Sequence, residues 1–253
     1  MSNAQINVRQ LMGINMQTVI VTGAGSGIGC ALTRRMLSEG FHVSAWDSNP
    51  GELAGTNDPL LDFWELDVRD ANTMTDAIAA SIAKTGRIAG LATCAAIYRT
   101  MPFLELTEED WDNHLSVNLK GSLLACQAVL PAMLKQQSGS IVLFSSSIAR
   151  RGAPDSAAYA ATKGGILGLT RALALDHAGE GIRANTISPG ITDTPQPRGN
   201  MTEAEIYSRG ETIPLGRIGT TKDMVETASF LLSDEASFVT GQDIRVNGGA
   251  GLF

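Results

Sequence analysis

Long apolar runs, basic tracts and paired cysteines are all missing from this 253-residue chain. No stretch approaches the ~20 consecutive apolar residues that span a bilayer, so no membrane partner is expected. Lysine and arginine number 19 against 26 acidic residues, a net charge of −7. No Lys/Arg run offers the footprint of a phosphate-backbone binder, which argues against a nucleic-acid partner. Arg150 and Arg151 read as a solvated turn. Cys30, Cys94 and Cys126 are odd in number and scattered, which excludes a disulfide framework and a zinc ligand set and suits reduced thiols in a cytoplasmic protein. His42, His114 and His177 stand apart from one another, and no metal site is expected. The N-terminus lacks a charged start followed by an apolar run, so residues 1–16 are expected to be a tail or short packing arm rather than a signal peptide. No Pro/Gly/Ser-rich linker and no internal repeat divides the remainder, so residues 17–253 are expected to form one domain.

What the chain does have is rhythm. Hydrophobic residues make up 43% and charged residues 18%, the balance of a folded globular protein. From Thr18, apolar runs (TVIVT, HVSAW, DFWELD, IAGLATC, GSIVLFS, RANTIS and a late DIRVN) alternate with segments whose apolar positions fall three and four apart. That alternation predicts parallel strands joined by right-handed crossovers: an α/β fold, a doubly wound parallel sheet in three αβα layers. Residues 191–211 break the pattern with two prolines and many polar side chains, and are expected to form a lid over a site.

Three local patterns carry chemistry. TVIVTGAGSGIGCALTRRML sets Gly23, Gly27 and Gly29 between a strand and a helix, where a tight turn and free N–H groups can hold a pyrophosphate. Eighteen residues past Gly29, Asp47 ends the second strand. A carboxylate there can accept from both hydroxyls of an adenosine ribose and would repel a 2′-phosphate, and Ser48 and Asn49 supply no cation to neutralise one, so NAD is favoured over NADP as cofactor. Tyr159 and Lys163, four apart in AAYAATKGG, share one helical face. A neighbouring ammonium is expected to lower the phenol below its usual value near about 10 and make it a general acid/base.

Taken in order, TGAGSGIG, LDVRD, SVNLKG, VLFSSS, the Tyr159–Lys163 pair, SPGITDT and the closing stretch from Ile213 resemble the short-chain dehydrogenase/reductase family over nearly the whole chain from Thr18 to Gly249. The resemblance implies a Rossmann-like fold and reversible hydride transfer between a secondary alcohol and a ketone. It implies Tyr159 as the acid/base, Lys163 also holding the nicotinamide ribose, Ser146 orienting the substrate oxygen, and Asn118 in a helix kinked around a relay water. Ser145 and Ser147 flank Ser146, and strand alternation turns them to the opposite face. Implied cofactor contacts are Gly23, Ser26, Gly27, Ile28 and Gly29 in the turn, Asp67 and Val68 beside the adenine, Ala95 near the ribose, and Pro189, Gly190, Ile191 and Thr194 around the carboxamide. A homotetramer is implied as well, and the apolar helix GGILGLTRALAL after Tyr159 is suited to burying a face against a twin subunit.

One motif departs from the family pattern: Thr93-Cys94-Ala95-Ala96 stands where Asn-Asn-Ala-Gly is usual. The threonine hydroxyl is expected to take over part of the asparagine's strand-stabilising role, and Cys94 is expected to be a small buried thiol rather than a nucleophile. The substrate stays open among cyclic alcohols, sugars or polyols, hydroxysteroids and β-hydroxyacyl groups, with Ile97, Tyr98, Arg99, Arg151 and Ala153 as candidate pocket neighbours. Two other readings stand beside the first. An NADPH-dependent ketoreductase of the 3-oxoacyl reductase type is disfavoured by Asp47, and a catalytically silent nucleotide-binding regulator is disfavoured by the intact Ser146, Tyr159 and Lys163.

Overall fold

The computed structural model describes residues 16–251. The tail expected over residues 1–16 therefore lies, except for Met16, outside the described residues. Seven strands form one parallel sheet: β1 (Thr18–Thr22), β2 (His42–Asp47), β3 (Leu61–Glu65), β4 (Ile88–Thr93), β5 (Gly139–Phe144), β6 (Ile182–Pro189) and β7 (Asp243–Val246). Their spatial order is β3-β2-β1-β4-β5-β6-β7. The chain first winds outward from β1 and then returns to place β4 on its other side. This reversal opens a crevice at the carboxyl ends of β1 and β4, where open α/β sheets bind ligands.

Because both faces of the sheet are covered, successive residues of a strand enter different cores. Along β1, Val19 and Val21 join one cluster and Ile20 the other; along β5, Val142 and Phe144 oppose Ile141 and Leu143. The first core is closed by helices α1 (Gly27–Glu39) and α9 (Thr221–Leu232). The second is closed by α2 (Ala71–Thr85), α4 (Gly121–Gln136) and α6 (Ala157–His177). Each fully buried Ile or Leu contributes on the order of 1.5–3 kcal/mol against exposure.

A short helix α3 (Glu108–His114) runs into α4 through a π-helical turn over Leu115–Lys120, where the Gly121 N–H reaches back to the Ser116 carbonyl. The combined helix Glu108–Gln136 is long and apolar enough on length and composition to cross a bilayer. Its Ala125, Cys126, Val129 and Met133 are instead fully buried in the sheet's second core, as expected of a core helix. The remaining helices are α5 (Ile148–Arg151), α7 (Pro195–Arg198) and α8 (Glu203–Glu211). The last two lie in residues 191–211, which are thus more ordered than the irregular excursion the sequence suggests. Thr202 and Glu205 close a capping box that starts α8.

Candidate active site

Two cavities meet at the carboxyl end of the sheet and share Ile28, Cys94, Ala96, Thr194 and Gln196 as walls. The larger is a cleft of about 450 Å³ running over the glycine turn. Ser26, Gly27, Ile28 and Gly29 line it at the start of α1, together with Gly23, Asp47, Asp67, Val68 and Ala95. Ser26 makes no side-chain cap, and no acid lies in the first turn of α1. Its Gly27 N–H is taken by the Glu52 carboxylate at 3.3 Å, so this helix start does attract an anion.

The glycines are needed at two contacts above all. Gly23 sits at φ +67°, and a Cβ there would come within 2.5 Å of the Ala95 nitrogen across the β1/β4 switch. A Cβ on Gly29 would run into the Gly23 carbonyl, so helix and strand pack without space between them. Gly25 carries a role the sequence pattern did not single out. Its N–H donates to Asp47 Oδ2 at 2.9 Å, while Asn49 N–H donates to Asp47 Oδ1 at 3.1 Å. The carboxylate is fixed by the turn itself. The Asp67 carboxylate is held by Arg69, whose Nε lies 2.9 Å from Oδ1, and the hydrogen bonds from that guanidinium hold Asp67 below the usual carboxylate range. Arg69 also lines the cleft, a cation spent on Asp67.

The second cavity, about 140 Å³, is walled by Ser146, Tyr159, Lys163, Pro189, Gly190, Ile191 and Thr194 among others. Ser145 Oγ donates to the Lys163 carbonyl on α6 at 2.7 Å, whereas Ser146 Oγ accepts from Ile148 N–H at 3.2 Å and favours the charged form of the Tyr159 phenol. Ser145 and Ser147 line this cavity as well, against the expectation that both turn away. The strand ends at Phe144, so its alternation no longer governs the three serines.

The electrostatics of Tyr159 depart from the sequence expectation. Its hydroxyl is pushed up to about 12, because burial disfavours the phenolate more than hydrogen bonds from Ser146 and Gln196 favour it; Tyr98 pushes the same way as burial. The neighbouring Lys163 does not offset burial. The ammonium lies 5.7 Å from the ring centroid and donates to the Phe144 carbonyl at 2.8 Å, and burial brings Lys163 itself down to about 8. The helical spacing does bring both residues to one site, as expected, but it carries no information on how dry that site is.

Asn118 is fully buried in the π-helical turn. Its Oδ1 accepts from Ile97 N–H at 2.8 Å, and its Nδ2 donates to the Ile97 carbonyl at 3.0 Å and to Thr162 Oγ1 at 3.2 Å. Both amide protons are consumed in clamping the loop after β4 onto α6. Thr93, by contrast, does not take over the expected strand-stabilising role: its buried hydroxyl has no hydrogen-bond partner. The loop is fastened by its neighbour strand instead, where Ala95 N–H donates to Thr22 Oγ1 at 3.2 Å. The thiol of Cys94 sits in a desolvated setting that pushes it up to about 12, consistent with an inert cysteine.

Of the pocket neighbours inferred from sequence, Tyr98 and Arg151 line the second cavity and Ile97 the first. Arg99 instead pairs with Asp110, and Ala153 lies in neither wall. Arg150 pairs with Asp243, but Arg151 is part of the cavity wall rather than a plain solvated turn. The Tyr98 ring lies 4.5 Å from that of Tyr159, tilted by 47°, a contact that its reading as a pocket neighbour does not specify. Gln196, on α7, lines both cavities and favours the Tyr159 phenolate; no local signal singles it out, since its position depends on how a distant loop folds over the sheet. Residues 191–211 are tied down by Asn200, which accepts from Thr100 N–H at 3.2 Å and donates to the Tyr98 carbonyl at 3.2 Å.

A family model described as enoyl-(acyl carrier protein) reductase matches residues 23–251. The 3-oxoacyl-(acyl-carrier-protein) reductase FabG of Thermotoga maritima is 38% identical over 248 residues, covering 94% of this chain and 99% of that protein. The 2-(S)-hydroxypropyl-CoM dehydrogenase 3 of Xanthobacter autotrophicus is 36% identical over 244 residues, covering 92% and 96%. Among solved structures, the ligand-free aldohexose dehydrogenase of Thermoplasma acidophilum is similar with a TM-score of 0.86 at 31% identity, covering 94% of this chain and 95% of that one. ElxO with NADP bound gives 0.85 at 27% identity, covering 92% and 98%.

Proposed function

The chain belongs to the short-chain dehydrogenase/reductase family of oxidoreductases, and from that premise we propose that it interconverts a secondary alcohol and a ketone with NAD. The observation that carries the reading is the joining of two cavities: one holds Ser146, Tyr159 and Lys163, and the other runs over the glycine turn to Asp47. The residues suit a dinucleotide, with a helix start that already draws the Glu52 carboxylate for the pyrophosphate, a turn that admits no Cβ, and a fixed carboxylate for the ribose. When bound, the nicotinamide supplies the carbon that accepts or gives the hydride.

The protein's part is orientation and proton handling. Ser146 Oγ holds the substrate oxygen beside the Tyr159 hydroxyl. Tyr159 takes the alcohol proton in one direction and returns it in the other. With its hydroxyl up near about 12, it rests protonated at neutral pH, the form that donates to a ketone oxygen. Lys163, held by the Phe144 carbonyl, would hold the sugar next to the reacting ring. Since the side-chain protons of Asn118 are consumed by Ile97 and Thr162, its share in a proton relay would run through its main-chain carbonyl, which already accepts from Ser122 Oγ at 2.8 Å.

The choice of NAD rests on Asp47, whose charge no free cation offsets: Arg69, in the same cleft, is neutralised by Asp67. A second reading, reduction of a ketone with NADPH, is favoured by the relative named 3-oxoacyl-(acyl-carrier-protein) reductase and by the NADP-bound neighbour. Comparing kcat/KM with the two dinucleotides over a broad panel of alcohols and ketones separates the two. Tyr159→Phe is expected to lower turnover by at least about a thousandfold while dinucleotide binding persists; undiminished turnover refutes the assignment. The proposal extends to a homotetramer, supported by an exposed apolar groove that includes Leu115, Leu119, Leu123 and Leu169, and to a cytoplasmic setting, supported by three free cysteines.

A further inference from the structure

The wall of the substrate cavity is electrically one-sided. Arg151, at the end of α5, and Arg209, in the last turn of α8, both line it, and no aspartate or glutamate does. This occurs in a chain whose net charge is −7, where arginines next to these two find acids readily. Arg150 pairs with Asp243, and Arg198 pairs with both Asp193 and Glu203. Arg151 and Arg209 form no ion pair among the described residues. Glu205, one helical turn before Arg209, feels its charge but commits its carboxylate to the backbone of Thr202 in the capping box. Two exposed, unmatched guanidinium groups around one opening are complementary to a ligand that brings negative charge.

We infer that the substrate is an anionic alcohol or ketone, a hydroxy- or oxo-carboxylate whose reacting oxygen meets Ser146 and Tyr159 while its carboxylate is held by Arg151 and Arg209. Arg151 stands five residues after Ser146 on the same short connection, so one wall presents both the oxygen-orienting group and the charge. Arg209 arrives on the 191–211 segment, so the anion also links that segment to the floor of the site. This inference rests on the oxidoreductase reading of the same cavity and narrows it to a substrate class.

The test uses matched pairs: 2-, 3- and 4-hydroxyalkanoates against their methyl esters, with the full-length enzyme and either dinucleotide. The carboxylate of at least one pair is expected to have a kcat/KM about tenfold or more above its ester. Arg151→Ala and Arg209→Ala are each expected to raise KM for the carboxylate about tenfold, to lower the ester's kcat/KM far less, and to leave dinucleotide affinity unchanged. Arg→Lys variants at the same positions recover part of the loss. Esters or neutral alcohols turned over as well as every acid, or variants that weaken acid and ester alike, overturn the anion assignment and leave the oxidoreductase reading standing. Silence of the acids, the esters and the broad neutral panel with both dinucleotides overturns both.

Discussion

Lys163 gives the sharpest test of how burial governs this site. Its ammonium is buried and lowered from the ordinary lysine value of 10.5 to about 8, with desolvation as the main cause. That lowering corresponds to roughly 3 kcal/mol of unfavourable free energy for keeping the charged form inside. Replacing it with the similarly shaped Met removes this cost but leaves the Phe144 carbonyl without its 2.8 Å donor, a loss of about 1–3 kcal/mol. At pH 7 the two nearly offset, and Lys163→Met is expected to be as stable as the wild type or up to ~2 kcal/mol more stable, while losing most of its activity. The sign with pH follows from linkage. Below pH 8 the lysine is charged in both folded and unfolded states, and the full cost is present. Between about 8 and 10.5 the folded protein releases the proton and the unfolded chain retains it, so wild-type stability rises and the variant's relative advantage disappears. Urea unfolding of both proteins from pH 6.5 to pH 10 measures this difference; Tyr159 is common to both and drops out. A difference independent of pH refutes the account.

Two further predictions concern the unusual Thr93-Cys94 pair. Thr93→Val replaces a buried hydroxyl that lacks a partner by an isosteric methyl, and should raise stability by about 1 kcal/mol; a loss of similar size in thermal unfolding would show that the hydroxyl is bonded after all. Cys94 at about 12 has a thiolate fraction near about one in ten thousand at pH 8. Iodoacetamide at that pH should leave turnover intact, and rapid inactivation mapped by mass spectrometry to Cys94 would contradict the raised pKa of its thiol.

Much of the frame is legible because it is written locally. The glycine turn and the four-residue spacing of Tyr159 and Lys163 each follow from backbone geometry over a few residues. The same spacing misled on the acidity of Tyr159, since desolvation is created by loops that close over α6 from other parts of the chain. Gln196 and the contact of the Tyr98 ring with Tyr159 belong to the same class: each depends on long-range packing of segments far apart in the chain. Thr93 is the reverse case. Its hydroxyl could have bonded in many ways, and only its surroundings reveal that it bonds to nothing.

The Asn200 tether has a mechanical consequence. Its two ends fix residues 191–211 to the backbone of Tyr98 and Thr100, and the Tyr98 ring lies against Tyr159. Lifting the flap therefore drags on the aromatic shelf beneath the reacting hydroxyl, so admission of a molecule and alignment of the proton donor form a single coordinate.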